Sequence, residues 1–169
     1  MDLWIFDIDG VVAEIGHRLP TLKKGDHRRF YMGIPNDSPI QAGISLVKLA
    51  SEKSKIVFAT GRPEWTSDMT EEWLFRHLAM SLPKIHYREN GDYKPSPLVK
   101  VQEIAKILKE GGRYRNIYFI DDDPRNVKAV EEAFPRITGI IFTTWRLNEK
   151  QRGTRGQSEG VGNSGISII

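Results

Sequence analysis

Four short segments of this chain carry side chains whose types and spacing suit work on a phosphoryl group. Asp7-Ile8-Asp9-Gly10 closes one apolar run and Thr60-Gly61-Arg62-Pro63 a second; Lys100 sits within a helical pattern, and Asp121-Asp122-Asp123 closes a further apolar run. Residues two apart on a strand project to the same side, so Asp7 and Asp9 converge, which is costly unless a cation or a proton lies between them. Alone, Asp-x-Asp-Gly is also how a strand finishes in a polar turn; the other three segments change that reading. Carboxylates gathered without cysteine or clustered histidine make a hard, oxygen-rich set that suits Mg²⁺ rather than zinc. An ammonium and a small hydroxyl beside them complete what phosphoryl transfer needs: in-line positioning and neutralised charge on the equatorial oxygens.

The elements that must position these groups follow from periodicity. Trp4 to Phe6, Lys55 to Ala59, Ile85 to Tyr87, Asn116 to Ile120 and Gly139 to Thr143 read as buried strands. Between them, Asn36-Asp37-Ser38-Pro39 reads as a capped helix start, continued by Ile40, Ile44, Val47 and Ala50 at helical spacing. A second helix is expected over 66–80 with Met69, Trp73, Leu74 and Leu78 inward. Ser96-Pro97 opens a third, with Leu98, Val101, Ala105 and Leu108 on one face and a stop at Gly111-Gly112. Asp123 caps a fourth from Pro124 to Phe134, with Val127, Val130 and Phe134 turned inward. Such alternation predicts an α/β, Rossmann-like three-layer sandwich around a mostly parallel five-stranded sheet. Function in such sheets gathers at the carboxyl ends of the strands, where three of these polar segments fall, with Lys100 in the helix before the last of them.

At 169 residues, with 39% hydrophobic and 28% charged residues, the chain suits one domain with a sizeable core. We expect it to span 1–145, with a loop-rich flap at 11–35 after the first strand and a flexible Gly/Ser/Arg-containing tail over 146–169. The absence of cysteine excludes a disulfide framework, a thiolate metal site and a cysteine nucleophile. With no leader-like amino terminus and no apolar run of membrane-spanning length, a cytoplasmic protein with no membrane partner is expected. There is no Gly-x-x-x-x-Gly-Lys-Ser/Thr loop, hence no ATP site of that kind. Net charge of +3 and a pI near 9.1 are compatible with an anionic partner.

The ordered set FDIDG, FATGRP, Lys100 and FIDDDPRN resembles the four motifs of the haloacid dehalogenase (HAD) superfamily of aspartate-nucleophile phosphatases, from Leu3 to Thr144. Within it, Arg88-x-x-Gly91-Asp92-Tyr93-Lys94, Val99-Lys100 and Ile120-Asp121-Asp122, with Glu72-Trp73 after FATGRP, resemble the 3′-phosphatase domain of phage-type polynucleotide kinases. The resemblance implies that Asp7 is the nucleophile and a Mg²⁺ ligand. Asp9 would be the general acid, then the base for water, with its backbone carbonyl on the metal. Thr60 and the Gly61 amide would hold a phosphoryl oxygen, and Lys100 would stabilise nucleophile and phosphate. Asp122 would be a further Mg²⁺ ligand, with Asp121 or Asn126 behind it. Arg62, Arg88 and Lys94 would contact substrate, Lys94 being a rival for the role of Lys100. Val11 stands where many members have threonine, and the four histidines are expected to be structural or flap residues.

Asp9 separates the chain from dehalogenases, which lack an acid there, and receiver domains carry their acids, Thr and Lys in another order. In the flap, Arg18, Lys23, Lys24, Arg28 and Arg29, interleaved with Phe30 and Tyr31, read either as a solvated basic loop or as a surface that follows a nucleic-acid backbone and stacks a base. The implied function is therefore a Mg²⁺-dependent phosphomonoesterase acting on 3′-phosphates of DNA or RNA ends. Phosphatases of free nucleotides or other small phosphomonoesters, and a non-catalytic nucleic-acid-binding module, are the alternatives.

Overall fold

The computed structural model describes residues 1–144; the tail expected over 146–169 lies outside the described residues. β1 (Asp2–Phe6) leads into a segment holding β2 (Ala13–Glu14), α1 (Leu19–Lys23), α2 (His27–Met32) and β3 (Ser38–Pro39). Then follow α3 (Gln41–Ser51), β4 (Ser54–Pro63), α4 (Ser67–Leu78), β5 (Lys84–Arg88), α5 (Ser96–Lys109), β6 (Ile117–Asp121), α6 (Pro124–Ala133) and β7 (Ile137–Ile141). The five longer strands form one parallel sheet in the order β5-β4-β1-β6-β7, as the alternation predicts.

Both faces of β1 are covered. Leu3 and Ile5 pack with Ile104 and Ile107 of α5 and Val127 and Val130 of α6; Trp4 and Phe6 pack with Ile44 and Val47 of α3 and Trp73 and Leu74 of α4. That double burial is why the strands read as continuous apolar runs rather than alternating ones. From β1 the chain moves first to β4 and β5 on one side, and later to β6 and β7 on the other. The carboxyl ends of β1 and β6 therefore flank the point where strand order reverses, the crevice in which open α/β sheets bind ligands. Among the described residues no helix is long and apolar enough to cross a membrane.

Four local expectations are corrected. Asn36-Asp37-Ser38-Pro39 does not start a helix: Ser38 and Pro39 pair antiparallel with Glu14 and Ala13, and α3 begins at Gln41 without a side-chain cap. Asp37 is instead a buried carboxylate whose charge is matched by two arginines. β4 does not break at Thr60 but continues to Pro63 through a register shift against β5. The inward face of α5 is turned from the expected one, so Leu98 is exposed while Val99, Lys100, Glu103, Ile104 and Ile107 are buried. Two polar residues on the buried stripe hid it. Finally, the flap is helical rather than loop-rich, since α1 and α2 are only 5 and 6 residues long, too short to show a period.

Candidate active site

Asp7 is the first residue after β1 and Asp121 the last of β6, so parallel register alone brings them to one end of the sheet; the Asp7 amide donates to Ile120 O at 2.8 Å. Carboxylate oxygens of Asp7, Asp121 and Asp122 all lie within 4.8 Å of one another. Lys100, buried on α5, is directed into this group: its Nζ is 2.6 Å from Asp7 Oδ1 and 3.3 Å from Asp121 Oδ2, and it donates to Ala59 O at 2.7 Å. Asn126 donates to both Asp121 oxygens at 3.0 Å and holds that carboxylate flat against the start of α6. Gly10 makes room, because at φ 80° a Cβ there would fall 2.1 Å from Asp122 Oδ2.

The electrostatics of this group call for a cation. Burial pushes the Asp7 carboxyl up to about 8, Lys100 pulls it back, and Asp121 and Asp9 raise it again. Asp122 is pushed to about 6 by burial and then by Asp121. Burial works against the Lys100 ammonium, yet Asp7 and Asp121 outweigh it and hold the lysine charged. One ammonium among three carboxylates leaves negative charge unmatched. A hard divalent ion with oxygen ligands fits that donor set, and Asp7, Asp121 and Asp122 are the side chains that would hold it. Asp121, expected behind the metal, shares this group with Asp7 and Asp122.

Asp9 is held apart from that group by a second network. Its Oδ1 accepts from Arg62 Nη2 at 2.5 Å, Arg62 Nε at 3.0 Å and Arg18 Nη2 at 2.8 Å. Both arginines also grip Asp37: Arg18 Nε donates to Oδ1 at 2.8 Å, and Arg62 Nη2 to Oδ2 at 2.9 Å. His17 Nε2 lies 2.9 Å from Asp37 Oδ1, the Trp73 indole donates to Asp37 O at 2.8 Å, and Arg18 Cζ stacks 4.3 Å over the Phe30 ring. Burial alone would raise Asp9; Arg62 and Arg18 outweigh it and hold the carboxyl below its usual range. Arg62, expected to contact substrate, is fully buried and occupied by these partners and Thr70. Arg18 and Phe30, expected on an open surface, are likewise buried. Asp37 was missed: its arginines lie 19 and 25 positions away, so no local pattern reveals them.

Thr60 is buried, and its Oγ1 accepts from Arg62 N at 3.2 Å; Gly61, at the register shift, is partly exposed. Arg88 reaches the same turn, with Nη2 3.8 Å from where a Gly61 Cβ would lie; its Nη1 donates to Asp92 O, and its Nε is buried without a partner. Lys94 is exposed, donating to Gln102 Oε1 at 3.3 Å and lying 3.6 Å from Asp92, so between the two rivals it is Lys100 that meets the acidic group. Asp123 caps α6 as expected, accepting from Arg125 N at 2.9 Å.

A family model described as the polynucleotide kinase PNKP phosphatase domain matches residues 1–133. A chain from a structure of a Pnkp1/Rnl/Hen1 complex is similar at a TM-score of 0.65 and 18% identity, over 83% of this chain and 45% of that one. Another, from a Pnkp1/Rnl/Hen1 RNA repair complex, gives 0.64 and 17%, over 85% and 43%. A putative β-phosphoglucomutase from Thermotoga maritima gives 0.51 and 18%, over 90% and 91%. This chain thus spans less than half the length of the two chains from Pnkp1/Rnl/Hen1 complexes. A search of curated proteins gives no match.

Proposed function

The chain belongs to the family of polynucleotide kinase PNKP phosphatase domains, a HAD phosphatase, and on that premise we propose that it removes 3′-phosphates from nucleic-acid ends through an aspartyl-phosphate on Asp7. The observation that carries the reading is the Lys100 ammonium set between Asp7 and Asp121, with Asp122 in the same group, at the crevice where strand order reverses.

In this reading an Asp7 oxygen attacks phosphorus, the bond from phosphorus to the ester oxygen breaks, and that oxygen takes a proton from Asp9. Water then attacks the aspartyl-phosphate, gives its proton to Asp9, and inorganic phosphate leaves. The two arginines favour the ionised form of Asp9 and so suit it to the second half of this cycle. To serve as acid it must first gain a proton, which the fourth charge brought by the substrate phosphate makes easier. Thr60, the Gly61 amide and Lys100 hold the phosphoryl oxygens, and Arg88 contacts the substrate beyond them. Mg²⁺, held by Asp7, Asp122 and Asp121 with the Asp9 carbonyl, would neutralise charge developing on those oxygens. A cytoplasmic setting belongs to the same reading.

The test is turnover of 3′-phosphorylated DNA and RNA oligonucleotides beside 5′-phosphorylated ones and mononucleotides, with Mg²⁺ and after chelation. RNA ends come first, since two similar solved chains belong to Pnkp1/Rnl/Hen1 assemblies, one of them named an RNA repair complex. Selective, salt-sensitive and chelator-sensitive release of phosphate from 3′ ends is expected. Mononucleotides cleaved as well as oligonucleotides would instead make the protein a small-molecule phosphatase. Binding without turnover would leave a nucleic-acid module.

A further inference from the structure

Against the turn after β4 lies a cavity of about 330 Å³ whose wall holds three aromatic side chains, Tyr31, Trp65 and Tyr93, the guanidinium groups of Arg28 and Arg88, and Glu89 and Asp92, whose carboxylates pair with Lys106 and Lys94. It borders the predicted phosphoryl-holding residues: Pro63 is in its wall, and Arg88 reaches from it to within 3.8 Å of the Gly61 Cβ position. The three rings come from separate elements: α2, the 3-10 turn Glu64–Thr66, and the loop between β5 and α5. Trp65 is 42% exposed and Tyr93 89%, so neither ring serves the core. Tyr31 stands edge-on to Trp65 with centroids 5.9 Å apart, and Arg28 Cζ is 6.0 Å from the indole centre. The Trp65 amide donates to Asn90 Oδ1 at 3.0 Å, which ties the turn to the facing loop and fixes the mouth.

Single exposed aromatics need no explanation, but three converging on one cavity with two guanidinium groups do. The volume is at the small end for ligand sites and suits one nucleoside rather than an extended ligand. A base has a π-face for an indole, and the phosphodiester that follows it needs cations. Arg88 Nε, buried and without a partner, is a donor still lacking its acceptor. Neither a sugar phosphate nor an inorganic anion would use the rings.

We propose that this cavity seats the terminal nucleoside of the substrate, its base stacked on Trp65 and the adjoining phosphodiester held by Arg88. The assignment rests on the end-processing reading given above and names the part of the protein that reads the polymer.

The test compares the intact protein with Trp65→Ala and Trp65→Phe on a 3′-phosphorylated oligonucleotide and on p-nitrophenyl phosphate. The ratio of kcat/KM for the oligonucleotide to that for p-nitrophenyl phosphate falls about tenfold or more in Trp65→Ala, mainly through KM, and is largely restored in Trp65→Phe. A ratio that stays within about twofold, or equal losses in the two variants, overturns the proposal. A second readout needs no turnover: in the Asp7→Asn background the oligonucleotide quenches tryptophan fluorescence, and Trp65→Phe removes most of that quench. A quench that persists without Trp65 also overturns it. An intact protein that does not prefer the oligonucleotide defeats the end-processing reading, and the fluorescence result then decides the cavity by itself.

Discussion

Nζ of Lys100 lies 2.6 Å from Oδ1 of Asp7, and both side chains are buried. An ammonium fixed at the attacking carboxylate stabilises charge that shifts to the phosphoryl oxygens as the reaction proceeds. Lys100→Met is therefore expected to lower kcat by about 10²–10³, the loss typical for one preorganised electrostatic partner. Lys94→Ala tests the rival: a comparable fall there would reverse the assignment.

Asp37 is a structural anchor for Asp9, because it neutralises the two arginines that hold that carboxylate. Removing one member of a buried ion cluster strands the others, at a cost of about 3–5 kcal/mol. Urea unfolding of Asp37→Ala should show an unfolding free energy lowered by that order, read as a lower midpoint with an unchanged slope. A midpoint near that of the unaltered protein would mean the arginines need no such partner.

Gly10 gives a sharper probe of the acidic group than any carboxylate deletion. Alanine there meets Asp122 at 2.1 Å and must adopt φ 80°. Gly10→Ala should fold and yet lose most Mg²⁺-dependent turnover, as read by circular dichroism beside a metal titration. Normal metal dependence would detach Asp122 from metal binding.

His86 sets a pH dependence of stability. It is buried on β5, its Nε2 has no hydrogen-bond partner although Glu110 Oε1 is 3.4 Å away, and burial lowers its pKa below 6.5 despite that carboxylate, with Lys84, Lys106 and Lys55 adding to the fall. Below that value the unfolded chain binds the proton more readily than the native state, so stability is complete above about pH 6.5 and is lost as pH falls through the folded pKa. Denaturation measured across that range should flatten in His86→Gln.

The acids and their strands were legible because each belongs to a contiguous run whose register the parallel sheet then fixes. Asp7, Asp121 and Asp122 needed only strand ends, whereas Lys100 stood out through the spacing that resembles the family's. Asp37 was not legible, since a carboxylate before Ser-Pro looks like a cap and its arginine partners lie 19 and 25 positions away, one of them on β4. Arg62 looked available for substrate because a sequence shows charge and not burial. On α5, Lys100 and Glu103 interrupt the apolar stripe, so the apolar spacing points to a face one position away from the buried one. Trp65 carries no motif, and Tyr93 lies in one that says nothing of its neighbours; only the fold sets them across a cavity from Tyr31.

The placing of β1 at the middle of the sheet governs how the protein must be made. β1 is made before both of its neighbours, Ser54–Phe58 on one side and Ile117–Ile120 on the other. Such distant pairing slows folding, and until the later strand arrives the nascent chain shows Leu3 and Ile5 to solvent as an adhesive edge. Truncation anywhere before residue 121 should yield an aggregating fragment rather than a weakened enzyme, because the last partner of the first strand also brings the second half of the acidic crevice.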